Sequence, residues 1–314
     1  MMDMTPPTPE QGQYALRALM TVAMADGELH EQEHRMIRLF GEMLGLEVDV
    51  RDVAPITPEE LAEHLDGVET RHAFVRWLVI LTTMDGEVTD DETERVSEYA
   101  RALGVQERAI RDLRLLAAGH VRRAAFDIGR RSFAPQLLGK VWRERGVRAL
   151  WELVSAATGV GGADVKARFE ALGGLPEGTL GHALYHQFVD NEFPIPGEKG
   201  GAPDYLLFHD LGHVIAGYGT TPDQELLVAG FQAGYMNVDG LAMYLMIAML
   251  FQLSVEPVAK LRGVEPRRGA LDIDRFMTAV ARGRSLNVDL IEWDPWPHMD
   301  RPLDDVRAEL GIVV

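Results

Sequence analysis

Apolar residues recur three and four positions apart along nearly the whole chain, and Val/Ile alternation over strand lengths is scarce. That period predicts an all-α protein. One pattern occurs twice. LMTVAMADGELHEQEHRMIRLFGEMLG (19–45) aligns with LVILTTMDGEVTDDETERVSEYARALG (78–104) at a shift of 59 residues. Each copy predicts an apolar helix, an Asp-Gly turn and an amphipathic helix that stops at Gly45 or Gly104. Glycine supplies the positive φ that such turns and caps require. Thr89 and Glu92 have capping-box spacing, and Thr57-Pro58-Glu59-Glu60 predicts another helix start, with Thr as N-cap, Pro at N1 and Glu at N3.

The second half is broken by loops at 173–178 and 194–203. Residues 225–255 are strongly apolar, and LAMYLMIAMLFQL (241–253) is their densest stretch. It is shorter than the ~20 residues that a membrane span needs. The expectation is two buried helices lining an apolar pocket.

Charge divides the chain. Residues 1–118 hold 24 Asp and Glu against 11 Arg and no Lys, within a formal net charge of −18. This balance argues against a nucleic-acid partner. Residues 119–148 reverse it, with Arg122, Arg123, Arg130, Arg131, Lys140, Arg143, Arg145 and Arg148 against Asp127 and Glu144. Phe126, Phe133, Leu137, Leu138, Val141, Trp142 and Leu150 are interleaved with them. Two readings follow: a linker and first helix that pack on a second domain, which is favoured, or a basic amphipathic surface over 119–150 that meets anionic lipid. The expected organisation is a disordered tail (1–12), a helical domain (13–118), the basic segment (119–148) and a second helical domain (149–314). The N-terminus has neither the basic region nor the apolar core of a secretory signal, so the expected location is the cytoplasm, with peripheral contact on the inner membrane. Cysteine is absent, so any metal must be held by His and carboxylates.

Three His pairs have i,i+4 spacing, which places two imidazoles on one helix face. HEQEH (30–34) matches the zinc-peptidase pattern H-E-x-x-H. However, His34 faces away from the stripe of Met36, Ile37, Phe40, Met43 and Leu44, and the aligned positions in the second copy are Thr89 and Thr93. A solvated helix start is the better reading. Asp26/Glu33 and Asp85/Glu92 suit either a hard cation or turn and helix capping, and capping is favoured. His182 and His186 read as a core or partly exposed pair. In HDLGHVIAGYGTTPDQE (209–225), His209 and His213 share a face. Gly217, Gly219 and Pro222 then break the helix, so a new helix near Asp223 folds Glu225 back toward the pair. Asp210 is a fourth ligand or a nearby base. This donor set suits Zn²⁺, and Fe²⁺ or Mn²⁺ also fit.

The tandem D-G-E-x-x-x-x-E resembles the tellurite-resistance TerB-like helical domain over roughly 13–118. That resemblance implies a helical module linked to stress or membrane-associated assemblies, with no catalytic assignment. The second half resembles the coenzyme Q biosynthesis protein 4 family in three ordered blocks over roughly 125–314. His209, Asp210, His213 and Glu225 match its His-Asp-x-x-His…Glu signature. LPEGTLGHALYHQF (175–188) is similar to a second block, and Trp293 with PLDDVRAELGI (302–312) to a third. The resemblance implies a bound divalent metal, usually zinc, held by His209, Asp210, His213 and Glu225, which would also carry the catalysis. It implies a prenylated quinone precursor or other isoprenoid lipid as ligand, with the 241–253 helix facing its tail. Peripheral membrane association, other biosynthetic proteins as partners and oxidative decarboxylation at C1 of the ring are implied as well. Two alternatives compete: a lipid-binding scaffold with a structural metal, and an HD-type phosphohydrolase built from His182 or His186, His209-Asp210 and a later acid such as Asp272.

Overall fold

The computed structural model describes residues 4–47, 49–148, 162–253 and 267–312. Among them are fifteen α-helices and no strand. The first seven are α1 (Pro9–Ala23), α2 (Glu31–Met43), α3 (Pro58–His64), α4 (Val68–Leu81), α5 (Asp90–Ala102), α6 (Arg108–Ala117) and α7 (Val121–Gly129). Then come α8 (Ala134–Arg145), α9 (Ala163–Glu170), α10 (Leu180–Val189), α11 (Leu207–Ala216) and α12 (Pro222–Tyr235). The last three are α13 (Gly240–Phe251), α14 (Ile273–Ser285) and α15 (Leu303–Glu309). The chain forms two compact units: residues 2–131 with 241–278, and residues 132–240 with 279–314.

In the first unit the sequence repeat is a structural one. α1 and α2 are joined through Gly27 at φ 93°, and α4 and α5 through Gly86 at φ 91°. In both turns the aspartate accepts a main-chain N–H two residues on: Asp26 from Glu28 at 2.9 Å, and Asp85 from Glu87 at 3.0 Å. Both second helices open with an acid three residues beyond the N-cap. Glu33 accepts the His30 N–H at 2.9 Å, and Glu92 that of Thr89 at 3.3 Å. Thr89 completes a capping box, and Thr57 caps α3. Gly45 and Gly104 then end the second helices at φ 68° and 69°. The core between the helices is aromatic, with the Phe40 ring edge-on to Trp77 at 5.0 Å.

Two expectations change in this unit. The tail at 1–12 is engaged from residue 4 onward, while residues 1–3 lie outside the described set. α1 begins at Pro9 under the Thr8 cap, and Met4 is buried. The cause is the Trp77 indole, whose buried N–H needs an acceptor and finds the Met4 carbonyl at 3.0 Å. The second change concerns 241–253 and 267–278, which group with the first unit although the expected division put them in the C-terminal domain. Tyr244 and Thr83 share a hydrogen bond of 2.6 Å, and fully buried Gln252 donates to the Thr83 carbonyl. Arg268 pairs with Glu87, and Arg35 reaches Asp272 at 3.3 Å. A Cβ on Gly86 would lie 2.9 Å from the Arg268 Cα, so this turn needs glycine for both its conformation and its close neighbour. Leu241, Ala242, Leu245 and Ala248 are buried against protein. The apolar helix expected to face a lipid therefore covers the second Asp-Gly turn instead. Residues 254–255 of that apolar run lie outside the described set.

The basic segment is also narrower than its composition suggests. Arg131 is buried against Asp112 and Asp127, and Arg130 is bound to Asp127. In the second unit, Lys140 donates to the Ile291 carbonyl and Arg145 binds Asp204 at 2.6 Å. Leu137 and Val141 are buried, as the packing reading expects, and Phe133 meets Phe208 at 5.2 Å. Phe126, Leu138 and Trp142 are exposed, and Leu150 lies outside the described residues.

Asp26, Glu33, Asp85 and Glu92 are close enough to influence one another. Burial pushes the Glu33 carboxyl up to about 9, with Glu92, Asp85 and Asp26 adding to the rise. Burial likewise pushes Glu92 up to about 7. Folded Glu33 therefore keeps its proton at neutral pH while the unfolded chain releases it. The resulting penalty is absent below the unfolded pKa and grows as pH rises toward the folded value. Replacing Glu33 with Gln should raise stability by roughly 2–3 kcal/mol at pH 7 relative to its effect at pH 4. Urea unfolding at the two pH values measures the difference. An equal effect at both would mean that Glu33 is ionised in the folded chain.

Candidate metal centre

α11 and α12 form a tight helical hairpin, and its turn decides the site. Gly217 caps α11 in the left-handed conformation, φ 71°, where a Cβ would be strained. Thr221 and Pro222 start α12, so Glu225 falls in its first turn, where the helix dipole favours a carboxylate. The expected helix break is thus realised within a residue of its predicted position.

The hairpin brings His209, His213 and Glu225 together. Nε2 of His209 lies 3.4 Å from Oε2 of Glu225, and Nε2 of His213 lies 3.5 Å from Oε1. The two Nε2 atoms are 3.3 Å apart, and the rings are perpendicular. Among the described residues, this is the group of His and carboxylate donors compact enough to hold a metal ion, all three ligand atoms lying within 4.8 Å of one another. His213 and Glu225 are buried and His209 is half-buried. Asp210, expected as a fourth ligand, is not part of the group; it is half-buried and its charge acts on His213.

The hydrogen bonds around the triad suit a cation. Nδ1 of His213 lies 2.9 Å from the Gly219 carbonyl and 3.3 Å from that of Tyr218. Carbonyls only accept, so Nδ1 carries the proton and Nε2 turns its lone pair to the centre. Oε2 of Glu225 is buried and makes no hydrogen bond. Burial would raise the Glu225 pKa, but His209 and His213 outweigh it and hold the carboxyl down at about 2. Burial also disfavours charge on His213, yet Glu225 outweighs it and the imidazole is raised. A proton and a divalent ion would compete for the same His213 lone pair.

Other helices secure the hairpin. Arg307 of α15 donates to the Val214 and Ile215 carbonyls at 2.9 and 3.0 Å, and Arg282 of α14 to Ala216 at 3.0 Å. These are orphan carbonyls at the C-terminal end of α11. α12 crosses the end of α14 at two glycines. A Cβ on Gly283 would lie 2.0 Å from the Phe231 carbonyl oxygen, and one on Gly234 would lie 2.4 Å from that of Val280. Gln232, fully buried two turns beyond Glu225, reaches His209 Nδ1 at 3.3 Å. Gln232 and Arg282 have no place in the sequence reading, and Arg307 enters it only within the block PLDDVRAELGI, with no role at the hairpin. Gln232 left a local signal, a polar residue seven positions after Glu225 in an apolar stretch of its helix.

The other His-containing motifs do not assemble. His30 is the N-cap of α2 and stands 3.7 Å from Asp85, while His34 is half-buried. The His182 and His186 rings lie 4.4 Å apart and tilted to one another, and His186 contacts Asp190 at 3.1 Å. Asp272, the late acid of the phosphohydrolase alternative, is paired with Arg35 in the first unit. A cleft of about 380 Å³ runs along α11 at Phe208 and Leu211, on the helix face opposite the His pair. Arg145, Arg168, Tyr205 and Trp296 are among its walls, so it is an aromatic and charged cleft.

A family profile described as Tellurite resistance protein TerB matches residues 1–56, which cover α1, the first Asp-Gly turn and α2. The N-terminal part of the chain is TerB-like. No curated protein and no solved structure matches the chain.

Replacing Arg307 with Met should lower stability by about 1–3 kcal/mol, because the α11 carbonyls lose a charged donor. Chemical denaturation measures the loss. A variant as stable as the parent would show that water satisfies those carbonyls equally well.

Proposed function

We propose that the second unit is a divalent-metal centre that handles a prenylated quinone ring precursor, with the TerB-like unit as an accessory helical module. One observation carries this reading. The three blocks that resemble the coenzyme Q biosynthesis protein 4 family are bonded to one another around the triad. Thr179 bridges Pro302, Gly181 N–H donates to the Met299 carbonyl, and Leu303 N–H donates to that of Gly178. Arg307, in the third block, holds the carbonyls of the helix that bears His209 and His213. Their meeting at one place in the unit supports reading them as parts of one site.

The donor set fits Zn²⁺ first, with Fe²⁺ or Mn²⁺ as alternatives: two imidazoles and one carboxylate, with an orphaned buried oxygen on Glu225. When bound, the ion supplies a Lewis acid that polarises a ring hydroxyl or carboxylate oxygen. The protein contributes the rest. Glu225 brings a single negative charge, which leaves a divalent site net positive and attractive to an anionic ring substituent. The Gly219 and Tyr218 carbonyls keep the His213 proton on Nδ1. Asp210, beside His209 and outside the triad, takes the role of a nearby base.

Elemental analysis of purified protein should find one divalent transition metal per chain, and mass spectrometry of extracted lipid should find an isoprenoid. Glu225→Ala and His213→Ala should each lose the metal. Metal retained in both variants would favour the phosphohydrolase alternative, which needs neither residue. A metal whose removal unfolds a protein that never turns over a ring precursor would favour the scaffold.

The same reading includes contact with a membrane surface through α8. Leu138 and Trp142 are 66% and 65% exposed, one turn apart, and Val147 is 73% exposed. Arg143 and Arg148 stand exposed beside them. Exposed apolar side chains flanked by arginines suit an anionic bilayer interface. Among the described residues no helix is long and apolar enough to cross a membrane. The protein should co-sediment with vesicles rich in phosphatidylglycerol, less with pure phosphatidylcholine, and Trp142→Ala should weaken the binding severalfold. Equal sedimentation of parent and variant would remove α8 from the contact.

A further inference from the structure

His213 and His209 are held in different ways. Main-chain carbonyls, which can only accept, settle the tautomer of His213. Nδ1 of His209 instead faces the side chain of Gln232 at 3.3 Å. An amide can present either a donor or an acceptor, so the tautomer of His209 depends on which way that amide points.

We infer that Gln232 is a positioning residue that sets the metal-binding tautomer of His209 by turning its side-chain oxygen to Nδ1. The inference rests on the metal-centre reading and extends it beyond the ligands. With the amide nitrogen toward Nδ1, His209 must accept there and carry its proton on Nε2. That proton would point into the triad, toward Glu225 Oε2 at 3.4 Å. This arrangement suits the free chain. Gln232 is fully buried, and its Oε1 makes no hydrogen bond in this arrangement. Rotating the amide by half a turn exchanges its two ends in almost the same volume. Oε1 then accepts the Nδ1 proton, and Nε2 turns its lone pair inward beside that of His213. The rotated NH₂ needs an acceptor in turn. Tyr235, one turn further along α12, has a buried hydroxyl that interacts with the Gln232 side chain, and a hydroxyl accepts as well as donates.

Glutamine also differs from a carboxylate in this position. A carboxylate would hold the same tautomer but add a second negative charge behind the ligand and make the imidazole more basic. A neutral amide orients His209 while leaving Glu225 as the one anion among the ligands.

Competitive chelator titration with Zn²⁺ alone tests the inference. Gln232→Leu, close in volume, should weaken binding by roughly 10–100-fold. Gln232→Glu, which keeps an acceptor, should restore the parent affinity or exceed it. Circular dichroism of each variant reports whether it is folded. Should the Leu variant fail to fold, long-range ¹H–¹⁵N correlation spectra of the zinc-loaded parent give the answer directly. They should show His209 protonated at Nδ1, and protonation at Nε2 would overturn the inference. If the parent binds zinc and folded Gln232→Leu binds it equally well, the inference fails and the metal centre stands. If the parent takes up no zinc, both fail.

Discussion

A carboxylate buried beside two imidazoles is the constraint around which the second unit is organised. Glu225 is 8% exposed and its Oε2 lacks a hydrogen bond, so its charge has to be met by positive charge inside the triad. That requirement extends outward. Glu225 needs α12 to start where it does, which needs Gly217 and Pro222 in the turn. His213 needs the carbonyls of that same turn. The end of α11 needs Arg307 and Arg282, which lie 94 and 69 positions beyond His213 in the chain. A site of three side chains thus accounts for the placement of four helices.

The first unit depends on glycine and aspartate in two equivalent turns. Its two copies share cap, turn and stop at the same positions, yet their surroundings differ. The second turn is covered by residues of 241–253 and 267–278 through Tyr244, Gln252 and Arg268. This difference explains why a repeat so regular in sequence has one turn where glycine is required by a close neighbour. At Gly27 a Cβ would meet nothing within 4 Å; at Gly86 it would meet the backbone of Arg268.

HEQEH and HDLGH show why a pattern alone does not make a site. The first satisfies its motif in full, but His30 sits at a helix cap, outside the helix that carries His34, and no third donor among the described residues completes the pair. The second departs from that motif by one methylene, and the turn that follows it returns Glu225 to the pair. What separates them is the chain after the motif: an unbroken amphipathic helix in one case, a glycine-and-proline hairpin in the other.

Periodicity in the sequence was enough for the all-α class, the repeat with its caps, the helix break at 217–222 and the trio His209, His213 and Glu225. All of these rest on interactions within about sixteen residues, where backbone geometry relates sequence spacing to position in space. The tertiary structure alone decided that Asp210 stays out of the trio. It also decided that the 241–253 helix covers a turn of the first unit, that Met4 is tied down by Trp77, and that half of the basic segment is spent on internal pairs. The covered turn and the tied-down Met4 each follow from a buried polar group finding its partner far along the chain, and neither period nor composition records such pairings.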